Sequence, residues 1–166
     1  MTNQRQPNGC EEREDSDENE NVRFARGREA TAVIETLINR LDHVAIAVHN
    51  ADEAAAFFRD ILGLAIVGDE IADDPGVRLV YLDAGNTLIQ LVSPVRDDAP
   101  VAQWLRKNQE GLHHICFAST DLRQCEKYLN PDATSGIFKA GQGASAFFLT
   151  REPNNVKIEV TGPTVD

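Results

Sequence analysis

The sequence predicts an α+β fold built from one βαβββ unit used twice, and three observations point to it. LDHVAIAV at 41–48 recurs as LHHICFAS at 112–119, 71 residues later. NTLIQLVSP at 86–94 recurs as NVKIEVTGP at 155–163, 69 residues later. Two matches in the same order, with offsets differing by only two residues, indicate a duplicated module with a small deletion in the second copy. Each copy also follows one pattern: an apolar strand, an amphipathic helix, then three strands between turn signals.

Taken in chain order, residues 1–27 include EEREDSDENE at 11–20, with seven acids and one Arg. A block of like charge without apolar residues cannot bury surface, so this stretch is expected to be a disordered acidic tail. Val33, Leu37, Ile38 and Leu41 recur at helical spacing and suggest a short lead-in helix over 28–41. Residues 28–166 are expected to form a single domain, with module one at 41–94, a linker helix at 97–109 and module two at 112–161. In module one, Leu41–Val48 reads as a strand, and Ala51–Leu62 as a helix with Asn50 at its N-cap and Gly63 at its stop. Strands at about 64–71, 77–83 and 87–93 follow, separated by DDPG and AGN turns. Module two repeats the order with a strand at 112–119, a helix at 122–129 and strands near 136–139, 144–150 and 155–161.

Composition narrows the function classes. The chain of 166 residues carries 16 Lys+Arg against 27 Asp+Glu, a formal charge of −11, of which the tail block contributes −6. It has no basic stripe to neutralise phosphates, so nucleic-acid binding is not expected. Its apolar runs fall well short of the roughly 20 residues that span a bilayer, and its start has no signal-peptide pattern. Three scattered cysteines, Cys10, Cys116 and Cys125, make no disulfide framework, so a reduced cytoplasmic setting is expected. Cys116 reads as a small wall residue, Cys125 as a helix residue, and Trp104 as a packing anchor of the linker helix.

Strand alternation assigns faces. In the first strand His43, Ala45 and Ala47 share one side, and in its repeat His114, Cys116 and Ala118 do so. The bulky opposite face, with Val44 and Ile46, is expected to pack on the helices and leave room above the histidines. In the last strand of each module, Gln90 and Glu159 point away from the helix-facing Ile89, Leu91, Ile158 and Val160. His43, Gln90, His114 and Glu159 therefore occupy matched positions on the roomy face. Two imidazoles, an amide oxygen and a carboxylate suit a divalent cation such as Co, Ni, Mn, Zn or Fe, and the lack of thiolate argues against a structural zinc site. Singly, each is more often structural or exposed; the repeat symmetry favours a metal site. His113 competes with His114, but the repeat sets His113 against Asp42 and His114 against His43. His49, at a strand end, is expected to be solvent-exposed.

LDHVAIAV, DEAAAFFRDILGL, NTLIQLVSP, APVAQWLRKNQEGLHHICF and VKIEV resemble the vicinal oxygen chelate superfamily, which includes glyoxalase I, bleomycin-resistance proteins and extradiol dioxygenases; within it the chain is most similar to the methylmalonyl-CoA epimerases. The resemblance implies paired modules forming a cupped mixed β-sheet around a metal held by His43, Gln90, His114 and Glu159. It also implies a homodimer and a small-molecule acyl thioester substrate, with CoA as its carrier. The implied reaction is epimerisation at the α-carbon of a 2-carboxyacyl thioester such as methylmalonyl-CoA, through an enolate, with Glu159 as one acid/base. Some epimerases carry a second carboxylate where this chain has Leu79, and Glu70 is the alternative. Rival readings are a glyoxalase-I-like lactoylglutathione lyase, an extradiol dioxygenase, and a non-enzymatic small-molecule binder.

Overall fold

Each half of the chain forms the strand, helix and three strands that its pattern predicts. The computed structural model describes residues 37–131 and 136–165. The elements are β1 (Ile38–Ala47), α1 (Ala51–Asp60), β2 (Ala65–Ala72), β3 (Val77–Asp83), β4 (Leu88–Pro94), α2 (Pro100–Asn108), β5 (Gly111–Ser119), α3 (Leu122–Leu129), β6 (Phe138–Lys139), β7 (Ser145–Phe148) and β8 (Lys157–Gly162). The helix ends follow local chemistry. Asn50 accepts from the backbone N–H of Asp52 and Glu53 at 3.0 and 3.2 Å, and Asp121 caps α3 through the N–H of Gln124 at 3.0 Å. Gly63 takes φ +73° just beyond α1, a conformation that L side chains rarely adopt.

All eight strands join one sheet in the order β2-β3-β4-β1-β5-β8-β7-β6. In each module the first strand lies parallel to the last, β1 with β4 and β5 with β8, and the modules meet through antiparallel β1 and β5. The register repeats to the residue: Ala45 pairs with Gln90, and Cys116 with Glu159. The sheet is curled into a half-barrel. Its two ends touch where the backbone N–H of Gln142, between β6 and β7, donates to Glu70 of β2 at 2.7 Å.

Two apolar clusters cover the two faces near module one. On the convex side, Ala51 and Ala55 of α1 pack with Val48, Val80, Leu82 and Leu91. On the concave side, Val101, Ala102 and Leu105 of α2 pack over Ala47, Val77, Leu79 and Val92. A fully buried Leu such as Leu105 contributes roughly 1.5–3 kcal/mol.

Three expectations are corrected. Residues 28–36 of the lead-in helix lie outside the described residues, as does the acidic tail, while Ile38–Leu41 belong to β1. The linker helix is shorter than 97–109: Pro100 supplies its first turn, where a missing N–H costs nothing. The histidine-bearing face is also the more deeply covered one. Ala45, Ala47 and Cys116 are fully buried, whereas Val44, Ile46 and Ile115 are only half-buried, because the sheet curls towards the histidines and α2 closes that side.

Candidate metal centre

The strand register brings the sequence-predicted residues to one place. One row across the sheet runs Leu88, His43, Cys116, Glu159, and the next runs Gln90, Ala45, His114, Lys157. His43 and His114 are therefore diagonal neighbours across β1 and β5, within reach of each other. Their Nε2 atoms lie 3.1 Å apart, and Glu159 Oε2 lies 3.4 Å from that of His43 and 3.2 Å from that of His114. Ala45 and Cys116, the small residues between them, leave the space above free. Gln90 lies beside Ala45, lines the same cavity and sets its amide against the Tyr81 hydroxyl, without joining the tight triad. All four residues are at most 6% exposed. Of the other histidines, His49 is exposed and His113 lines the cavity.

Two residues missed by alternation complete the centre. The β1–β5 ladder slips between Leu41 and His43 and again between Ala45 and Ile46, which makes Asp42 and His113 the extra residues of two β-bulges. A bulge re-aims its side chain, and both of these turn towards the neighbouring histidine. Asp42 Oδ1 lies 3.1 Å from His43 Nδ1, and His113 Nδ1 lies 2.8 Å from His114 Nδ1. The sequence carried the signal in the doublets Asp42-His43 and His113-His114, 71 residues apart. Trp104 of α2 meets the His113 ring edge-on at 5.1 Å and holds it from behind.

These partners decide where the protons sit. The hydrogen bond from His43 holds the Asp42 carboxyl below the ordinary carboxylate range, against burial, so Asp42 is an acceptor and Nδ1 of His43 carries the proton. Burial above all pulls His113 down to about 3, so it is neutral and can accept from Nδ1 of His114. Both Nε2 atoms are then left with lone pairs directed at each other and at the Glu159 carboxylate. Three acceptors converging at 3.1–3.4 Å call for a shared cation, because ligands at neighbouring positions on an ion about 2.1 Å away lie roughly 3 Å apart. The donor set therefore fits a divalent metal, which His43, His114 and Glu159 would hold, with Gln90 adjacent. A proton competes for the same place. Burial opposes charge on His43, yet hydrogen bonds to Asp42 and Glu159 outweigh it and raise its pKa. Burial likewise pushes Glu159 up, but hydrogen bonds from His114 and His43 hold it well below the usual carboxylate range. Cys116 behaves as a wall residue: burial and the neighbouring Glu159 charge push its thiol up, so it offers no thiolate.

The centre opens into a cavity of about 1590 Å³ lined by both modules and α2. Its wall carries Arg40, Lys139 and Lys157 beside the carboxylates of Asp42, Glu70, Asp73, Asp74 and Glu159, and Lys157 Nζ stands 4.9 Å over the Phe148 ring.

Comparison with known proteins gives concordant matches. The profile of the glyoxalase/bleomycin resistance protein/dioxygenase superfamily matches residues 42–148. An uncharacterized Bacillus subtilis protein, YqjC, is 34% identical over 134 residues, which cover 78% of this chain and 96% of that protein. Human mitochondrial methylmalonyl-CoA epimerase is 42% identical over 81 residues, covering 48% of this chain and 46% of the relative, so the match spans about half the length of each. Among solved structures, Streptomyces coelicolor methylmalonyl-CoA epimerase in complex with 2-nitronate-propionyl-CoA superposes with a TM-score of 0.70 at 27% identity, over 77% of this chain and 99% of that one.

Proposed function

This chain belongs to the glyoxalase/bleomycin resistance protein/dioxygenase superfamily, and on that premise we propose that it is a metal-dependent epimerase acting at the α-carbon of a 2-carboxyacyl thioester such as methylmalonyl-CoA. The observation that carries the reading is the convergence of His43, His114 and Glu159 from both modules in one cavity. The naming of human and Streptomyces relatives as methylmalonyl-CoA epimerases, one of them bound to an acyl-CoA, supports the substrate class. His43, Gln90, His114 and Glu159 are the proposed ligands of a divalent ion. Such an ion supplies Lewis-acid stabilisation for negative charge developing on a substrate oxygen.

The chain's own residues do the rest. Asp42 and His113 hold the two imidazoles with Nε2 inward. Glu159, buried in the cavity, is the carboxylate that accepts the α-proton from one face of the substrate carbon. Lys157 and Lys139 draw the anionic thioester to the cavity. A CoA thioester is the proposed ligand and a homodimer the proposed assembly.

Exchange of the α-proton of methylmalonyl-CoA in deuterated water, on protein whose metal content is measured, tests the reading. Metal-dependent exchange with interconversion of the two epimers is expected. A metal-loaded protein that leaves the α-proton untouched is no epimerase of this substrate.

A further inference from the structure

Inversion at a carbon needs a proton removed from one face and another delivered to the opposite face, hence two acid/base groups on opposite walls. We infer that Glu70 on β2 is the second of these groups, facing the substrate across the cavity from Glu159; this rests on the epimerase reading above. In the sheet order, β2 and β8 are separated by β3, β4, β1 and β5, and the curl turns both carboxylates into the same cavity from its two sides.

Elimination among the cavity's carboxylates leads to the same residue. Asp42 is engaged by Arg40 at 2.6 Å and by His43 at 3.1 Å. Asp73 and Asp74 are exposed at the turn between β2 and β3. Glu159 already serves the opposite wall. Glu70 is half-buried and forms no ion pair among the described residues. Its partner across β2 and β3 is Leu79, which presents no competing polar group.

Glu70 is also oriented. Its Oε1 accepts from the Tyr81 hydroxyl at 2.9 Å and from the backbone N–H of Gln142 at 2.7 Å. Among the described residues no hydrogen bond goes to Oε2, so that oxygen is left for substrate. Burial and then the hydrogen bond to Glu70 push the Tyr81 hydroxyl up, so it keeps the proton that it donates to Glu70. Gly141 is required for this arrangement. A Cβ there would coincide with the Tyr81 hydroxyl and lie 2.7 Å from Glu70 Oε1.

In the forward direction the α-carbon's C–H bond breaks, its proton passes to Glu159 and its electron pair moves into the thioester carbonyl as an enolate. Protonated Glu70 then gives its proton to the opposite face, the new C–H bond forms, and exchange with water resets both carboxyl groups. No oxidant or reductant is involved.

The test is Glu70→Gln in the full chain. Glutamine keeps the oxygen that accepts from Tyr81 and Gln142 and loses only the transferable proton. Each methylmalonyl-CoA epimer is followed separately in deuterated water, with melting temperature and metal content measured alongside. Metal content and melting should match the wild type, interconversion should fall at least about 100-fold, and one epimer should still exchange its α-proton through Glu159. Glu70→Asp, which keeps a shortened carboxylate, should interconvert the epimers faster than Glu70→Gln. Interconversion by Glu70→Gln within about threefold of wild type, equal loss of exchange from both epimers, or equal rates for the two variants would overturn the role. A metal-loaded wild type inert towards both epimers would instead overturn the epimerase reading itself.

Discussion

Asp42 and His113 act through the histidine that follows each of them, and their removal should show in metal affinity. Such supporting partners are typically worth 10–100-fold in affinity, so Asp42→Asn and His113→Ala should each weaken binding by about that factor in a competition titration with a chelating dye. Unchanged affinity in both variants would show that the bulges orient nothing. Gln90 and Glu159 should differ although they hold matched positions. Gln90→Glu adds a second negative charge, lowering the formal charge of a bound divalent ion and its ligands from +1 to 0; it should keep the metal and slow exchange. Glu159→Gln should weaken metal binding and stop exchange even at saturating metal. Near-normal exchange in metal-saturated Glu159→Gln would leave Glu159 a ligand only.

At the scale of elements, two glycines separate steric from conformational cost. Gly141 has no positive φ that favours glycine, but an added Cβ would meet Tyr81 and Glu70 and come within 2.8 Å of Leu79 Cδ1. Gly141→Ala should therefore cost about 1–3 kcal/mol in urea unfolding, the range for overpacking a filled site. Gly63 has φ +73° and nothing within 4 Å of a built Cβ, so Gly63→Ala should cost about 1–2 kcal/mol from backbone strain alone. An Ala at position 141 as harmless as a surface change would mean that the β6–β7 segment gives way and does not clamp Glu70. On the convex side Arg78 bridges Asp69 of β2 at 2.8 and 2.9 Å and Asp52 of α1 at 2.8 Å. Those pairs are open to solvent, where such contacts contribute little.

At the scale of the molecule, the proposed metal centre draws on β1, β4, β5 and β8, and so would tie module one to module two. A ion that binds only the folded chain adds RT ln(1 + [L]/Kd), about 2.7 kcal/mol at a hundredfold excess over Kd. Chelation should lower the melting temperature, and restoring the ion should reverse the loss. Melting that ignores both would mean that the triad holds no metal in the native protein. Removal of residues 1–25 should leave melting and exchange nearly unchanged, because a stretch dominated by like charge has little apolar surface to dock. A large loss of either would show that the tail packs on the domain.

The duplicated unit, its helix caps and the proposed ligand residues were legible in the sequence, because they rest on short-range signals. Period-two alternation places His43 and His114 on one face, Asn50 and Gly63 mark the ends of a helix, and the offsets of 71 and 69 pair His43 with His114 and Gln90 with Glu159. Backbone register then keeps those pairings, as Ala45–Gln90 and Cys116–Glu159 show. Three features were decided only by tertiary structure. The bulges that re-aim Asp42 and His113 arise from a mismatch between two strands far apart in sequence, which neither strand encodes alone. The placement of α2 over the histidine face depends on which side the sheet curls, a property of all eight strands together. Glu70 meets Gln142 across 72 residues because that curl brings the two ends of the sheet into contact. A strand's own alternation says which way a side chain points; only the closed curvature of the whole sheet says what it will face.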